Sequence, residues 1–170
     1  MLKLSRKGGR RAAVSGRHAS ARRERRLAKV EETEEVHVGK WTFTATVPAT
    51  RCTSCGESYI NGEVLCRFEG YAARKLAELG IREGAAFRFM RKTLGMRAAD
   101  LAELLSVTPE TVSRWENDKN EVDLAAFVTL GSLVSDKVEG RTTTLDRLRA
   151  VHESPKPKSR AIHVDVPEAA

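Results

Sequence analysis

Two stretches of this chain carry residue types at spacings that could do chemistry. The first is Val107–Lys119, VTPETVSRWENDK. Thr108 before Pro109 suits an N-cap hydroxyl followed by a first helical residue that needs no donor. Glu110 then falls in the first turn, where the helix dipole favours a carboxylate. On the helix this opening predicts, Val112 and Trp115 share one side, and Glu110, Thr111, Ser113 and Arg114 project from the other. Arg114 has the fork that matches guanine O6 and N7, and Glu110 can accept from cytosine N4. Thr111 and Ser113 suit bases or phosphates, and Asn117 and Lys119 extend the polar surface. Blander roles stand beside these: Trp115 as core, Glu110 as a dipole partner, and the whole surface as a protein contact.

The second stretch is Cys52-Thr53-Ser54-Cys55-Gly56-Glu57. Its Cys-x-x-Cys-Gly spacing forms a knuckle in which two thiolates can meet one metal ion. A structural zinc site takes four ligands, usually from two such knuckles, and the second pair is absent. His18, His37 and Cys66 are the other soft ligands nearby. Two outcomes are open: zinc held by Cys52 and Cys55 with borrowed ligands, or a metal-free remnant. Cys66 is expected to be a buried thiol. A thiol enzyme would need a helix N-terminus to lower a cysteine pKa. The residues after Cys55, GESYINGE, do not read as a helix, so no enzyme is expected. Three cysteines, an odd number, also argue against a disulfide scaffold.

These residues must be positioned by ordinary elements. Val36 and Val38, then Trp41, Phe43, Ala45 and Val47, alternate on either side of Gly39-Lys40, which predicts two short antiparallel strands. Helical spacing follows. It places Ala72, Leu76 and Leu79 on one face, then Phe87, Met90 and Leu94, then Leu101, Leu104 and Leu105. Two short helices, 97–105 and 109–117, flank Ser106-Val107-Thr108. Asp123 is a good N-cap for a helix with Leu124, Phe127, Val128 and Val134 facing in. TTTLDRLRAVH predicts one more amphipathic helix.

A chain of 170 residues allows one ordinary domain or two small ones. Apolar residues are 41% and aromatics 5%, so the core must be mostly Leu, Val and Ala, which favours packed helices. No apolar run approaches the roughly 20 residues needed to cross a bilayer. The N-terminus lacks the apolar stretch of a secretory signal, so the expectation is a cytoplasmic, nucleoid-associated protein with no membrane partner. The net charge of +7 is unevenly spread. Residues 1–30 carry 11 Lys/Arg against the single Glu24, whereas residues 81–140 carry 8 basic and 10 acidic groups. A nucleic-acid reading therefore rests on where particular residues point, not on overall charge. The basic N-terminus is expected to be a disordered arm, either binding phosphates non-specifically or passive.

FMRKTLGMRAADLAELLSVTPETVSRWENDK closely resembles the Xre (Cro/phage-repressor) helix-turn-helix family over about residues 85–135. The resemblance implies a five-helix domain, with 109–117 as the helix that enters the major groove. It also implies a buried ion pair, here Arg91 with Glu116. Where that family offers a small capping residue and a phosphate-binding Gln, this chain has Arg97 and Ala98. Arg97 is then the candidate phosphate contact, and the cap is expected to be lost. TATVPATRCTSCGESYINGEVL resembles the second half of the zinc ribbon of MqsA-type antitoxins, whose first half is replaced here by the Arg-rich arm.

The resulting expectation is a mainly α chain with a disordered arm (1–30), a small ribbon-like β segment (31–66) and a linker helix (67–84). A helix-turn-helix domain (85–153) and a flexible tail (154–170) complete it. The expected function is a homodimeric repressor on a palindromic operator, and the likeness adds an antitoxin role against a small ribonuclease toxin. A stand-alone phage-like regulator is the alternative.

Overall fold

The computed structural model describes residues 27–154. The expected arm, up to residue 26, and the tail beyond 154 lie outside them. Strands β1 (Leu27–Val38) and β2 (Trp41–Cys52) form an antiparallel hairpin, and a two-residue β3 (Ser58–Tyr59) pairs with the end of β2. Six helices follow: α1 (Gly62–Glu78), α2 (Gly84–Thr93), α3 (Ala98–Leu104), α4 (Pro109–Glu116), α5 (Leu124–Val138) and α6 (Thr143–Glu153).

The hairpin closes through Gly39-Lys40, where Gly39 has φ +57°. Such turns match the right-handed twist of the flanking strands. The strands are not short: each has 12 residues in unbroken register, from Val38 opposite Trp41 to Leu27 opposite Cys52. Apolar alternation ends near Val47, so it shows only the half nearest the turn. The remainder of β1 is charged, and its ladder to β2 keeps it extended. Residues 27–30, expected in the arm, pair with Cys52 to Ala49.

The expected linker helix is instead part of the core. Asn61 caps α1 by accepting from the Glu63 amide at 2.9 Å, so the helix begins at Gly62 rather than 67 and ends at Glu78. It buries Phe68, Ala72, Ala73 and Leu76, and α5 runs antiparallel beside it. A Cβ built on Gly131 would lie 2.9 Å from the Ala77 Cβ, and one on Gly70 would lie 3.3 Å from Val138. Such proximity of the helices leaves no room for a side chain at Gly131. The expectation of a linker ahead of a separate five-helix domain is therefore corrected: α1 shares one core with α2 to α5, with α6 packed outside it and a three-stranded sheet ahead. That core joins Val36 and Val38 of the hairpin to Leu76, Phe87, Met90, Leu101, Val112 and Leu130.

Three facing predictions are also corrected. Leu124 and Val128 are 60% and 56% exposed, because α5 turns its Phe127, Leu130 and Val134 stripe inward. Leu79 is exposed, since α1 has ended beneath it. Helix α6 buries no residue fully and is held largely by polar contacts. The Asp136 carboxylate accepts from the Thr144 amide at 2.7 Å and meets Arg141 at 3.4 Å. A His152 ring nitrogen lies 3.1 Å from the Leu104 carbonyl oxygen.

Candidate nucleic-acid interface

Helices α3 and α4 are joined by a tight turn that two backbone hydrogen bonds create. The Ser106 amide donates to Glu103 at 3.0 Å and the Val107 amide to Ala102 at 2.9 Å, with Ser106 at φ +54°. This is the Schellman ending of a helix. Thr108 then caps α4: its hydroxyl accepts from the Thr111 amide at 3.2 Å and lies 3.1 Å from the Thr111 hydroxyl. Pro109 takes the first helical position.

The inner side of α4 is buried. Val112 is fully covered, and Trp115 packs edge-on against Phe87 with ring centroids 5.7 Å apart. At the C-terminal end, Glu116 forms a two-pronged ion pair with Arg91, which also donates to the Met96 carbonyl. Both side chains are less than a tenth exposed. The next residue but one, Asp118, reaches back to α2 and accepts from the Gly84 amide at 2.6 Å. It thereby caps a helix whose own N-cap, Glu83, makes no side-chain cap bond. A Cβ at Gly84 would lie 2.4 Å from the Trp115 carbonyl oxygen. Only glycine lets α2 approach α4 this closely.

The outer side of α4 is open. Glu110, Ser113 and Arg114 are all exposed, at positions i, i+3 and i+4, and so share one face. Arg114 forms no salt bridge among the described residues. Glu110 is held below the usual carboxylate range by its own backbone N–H, then by the Thr108 hydroxyl, with attraction from Arg114 adding to these. It is therefore ionised at neutral pH, as an acceptor for a base amino group must be.

The other sequence candidates are placed less freely. Thr108 and Thr111 are tied to each other at the cap. Asn117 turns its amide back onto the helix, donating to the Ser113 carbonyl at 2.7 Å. Lys119 is exposed just beyond the helix. Arg97 is exposed, but its guanidinium is held by Asp100, the shortest contact being 2.6 Å. A phosphate would have to compete with that carboxylate. The cap expected to be lost at α3 is half kept: Asp100 accepts from the Arg97 amide at 2.9 Å, while Arg97, having no acceptor, cannot return the bond.

Sequence reasoning missed Asp118, because its partner Gly84 is 34 positions away and no local pattern links them. It also missed Arg88, which stands 3.7 Å from Glu116 with a buried Nε that has no hydrogen-bond partner among the described residues. Its position one turn before Arg91 was the available signal.

The cysteine loop is built differently. Cys52 is buried, Cys55 exposed, and Cys66 is exposed rather than buried because it falls on the outer face of α1. The backbone N–H groups of Cys55 and Ser54 hold the Cys52 thiol below its ordinary pKa. For Cys55 the Glu57 N–H works in the lowering direction. The Cys52 hydrogen bond, burial and nearby negative charge outweigh it, so that thiol is raised. A turn that favours one thiolate suits metal or redox chemistry. Yet among the described residues no three His, Cys, Asp or Glu side chains gather to hold a metal ion. His37 cannot be borrowed. It pairs with Thr42 at the far end of the hairpin, ten residues and about 33 Å along β2 from Cys52. The described residues do not fit a closed zinc site.

Residues 87–130, from within α2 to the middle of α5, match the helix-turn-helix family model. No curated protein and no solved structure matches the chain. The match supports a DNA-binding transcription regulator, and it does not extend to the hairpin, the cysteine loop or α1. No helix among the described residues is long and apolar enough to cross a membrane.

Proposed function

We propose that this protein is a sequence-specific DNA-binding repressor that presents α4 to the major groove. The observation carrying this reading is the division of α4 into a clamped inner side and an outer face of exposed polar side chains, with Arg114 free of any salt bridge among the described residues. Arg114 reads a guanine, Glu110 accepts from a cytosine amino group, and Ser113, Lys119 and Arg97 meet neighbouring phosphates or bases. The protein acts as a homodimer, placing two copies of α4 about 34 Å apart on a palindromic site. The exposed Leu124 and Val128, one turn apart on α5, supply an apolar strip through which two copies can meet.

The finer assignment is an antitoxin that neutralises a small ribonuclease and represses its own operon. It draws on the Val47-Pro48 and Cys52-x-x-Cys55-Gly56-Glu57 pattern lying ahead of a helix-turn-helix unit. Footprinting the DNA upstream of the gene, with and without the neighbouring gene product, tests both levels. A footprint of two half-sites one helical turn apart is expected. Arg114→Ala should weaken it about 10- to 100-fold and relax one base preference in each half-site. An unaltered binding curve would remove Arg114 from the interface. Co-purification of the neighbouring product separates the antitoxin from a stand-alone regulator.

A further inference from the structure

A groove of about 660 Å³ runs between β2 and α1. Six consecutive β2 residues, Phe43 to Pro48, line it, so it follows the strand's edge rather than one face. Over Phe43 to Pro48 that edge has no partner strand among the described residues. On this side β3 covers only Thr50 and Arg51. The two-residue turn makes Val38–Trp41 the first hydrogen-bonded pair, so odd-numbered residues of β2 bond to β1 and even-numbered ones point to the groove. The Cys52 amide, which donates away from β1 to Glu57, fits this alternation. So does Pro48, whose missing N–H costs β1 nothing. The amides of Thr44 and Thr46 are thus directed into an open groove roofed by a helix.

We propose that this groove takes an extended segment of the chain's own C-terminal region, Ala161–Val166 (AIHVDV), as an added strand. Ile162, Val164 and Val166 alternate as a strand seated against Phe43, Ala45 and Val47 requires. Charge selects the same segment. The rim carries Arg67, Arg74 and Lys75 against Glu78, and Arg67 has no ion pair among the described residues. Asp165 and Glu168 complement that rim, whereas the Arg-rich N-terminal residues would be repelled. Six residues, 155–160, lie between Ser154 and the proposed strand.

Amide hydrogen exchange on the full chain tests this. Thr44 and Thr46 should exchange roughly ten-fold more slowly than in the double variant Ile162→Asp/Val164→Asp. A synthetic Ala161–Glu168 peptide should restore the protection in that variant. Thr44→Pro, which removes an edge donor and leaves the β1 ladder intact, should abolish the peptide's effect. Equal exchange in both proteins would overturn the proposal. Protection lost on about a hundred-fold dilution would overturn it too, because the strand would then come from a second copy.

Discussion

Helix α4 and the hairpin are both fastened to α2, but by different means. Three devices hold α4: the Arg91–Glu116 ion pair, the Trp115–Phe87 contact, and Asp118 capping α2 where Gly84 permits close approach. The hairpin meets α2 near its turn, through Val36 and Val38 in the core and an exposed Lys40–Glu83 pair at 2.7 Å. A surface that must meet a rigid duplex with defined side-chain positions needs its backing fixed. A hairpin carrying an unpaired edge and a thiol turn is left room to accept other groups. The two tryptophans report on the two regions separately, since Trp115 is buried against α2 and Trp41 stands half-exposed beside the hairpin turn.

The comparison is broken most severely by Glu116→Ala. It leaves the Arg91 guanidinium buried without a carboxylate and should cost about 3–5 kcal/mol. Urea unfolding followed by Trp115 fluorescence in a Trp41→Phe background measures it. Replacing both partners by apolar residues of similar volume should cost much less. Gly84→Ala comes next, at about 1–3 kcal/mol, because the added methyl meets backbone rather than a mobile side chain. The same titration reads it, and an unchanged midpoint would show that α2 and α4 can move apart freely.

Ser106→Gly sharpens the comparison in the opposite direction. Helices α1, α2 and α5 end on Gly80, Gly95 and Gly140 at positive φ, while the two helices of the motif end on Ser106 and Asp118. Glycine at 106 should raise stability by up to about 1 kcal/mol, the left-handed cost less the added chain entropy. Asp118→Gly should destabilise despite easing the same strain, because α2 loses its cap. At the hairpin, Lys40→Ala should cost less than about 1 kcal/mol, as exposed pairs do.

Acid gives a local test at α6. The Thr144 amide, then the Thr144 hydroxyl and Arg141, hold Asp136 below the usual carboxylate range. The lowered folded value means that its contribution is complete above the unfolded pKa of about 3.9 and is lost as pH falls through the folded value. Amides of α6 should therefore lose protection selectively on acidification, and in Asp136→Asn they should be weakened already at neutral pH. Glu78, Asp100 and Glu110 are lowered as well, so the readout must be the α6 amides rather than overall unfolding.

Local pattern made much of the helix-turn-helix unit legible. Thr108-Pro109 announces a capped helix start, Asp123 another, and the spacing of Val112 and Trp115 marks the inner face. The structure has these features because each depends on residues within one or two turns of each other. The hairpin was half legible for the same reason, since alternation stops where the ladder alone carries the strand. The Arg91–Glu116 pair, implied by the family resemblance, is present; what failed were expectations about distance in space that no motif carried. His37 was a plausible ligand until the register put the length of a strand between it and the cysteines. Helix α1 looked like a linker until Gly131 and Gly70 were found closing the gap to α5. Leu124 and Val128 fit an inward stripe as well as Phe127 and Val134 do, and only the packed neighbours select one.

The sequence by itself determined where helices start and stop and which side of α4 is apolar, because caps, glycines and periodicity act over a few residues. Tertiary structure alone decided which surfaces meet: Asp118 on Gly84, α1 on α5, Thr144 on Asp136, and the open edge of β2 beside a helix. Those outcomes depend on the simultaneous packing of segments far apart in the chain, and no short window of residues encodes that.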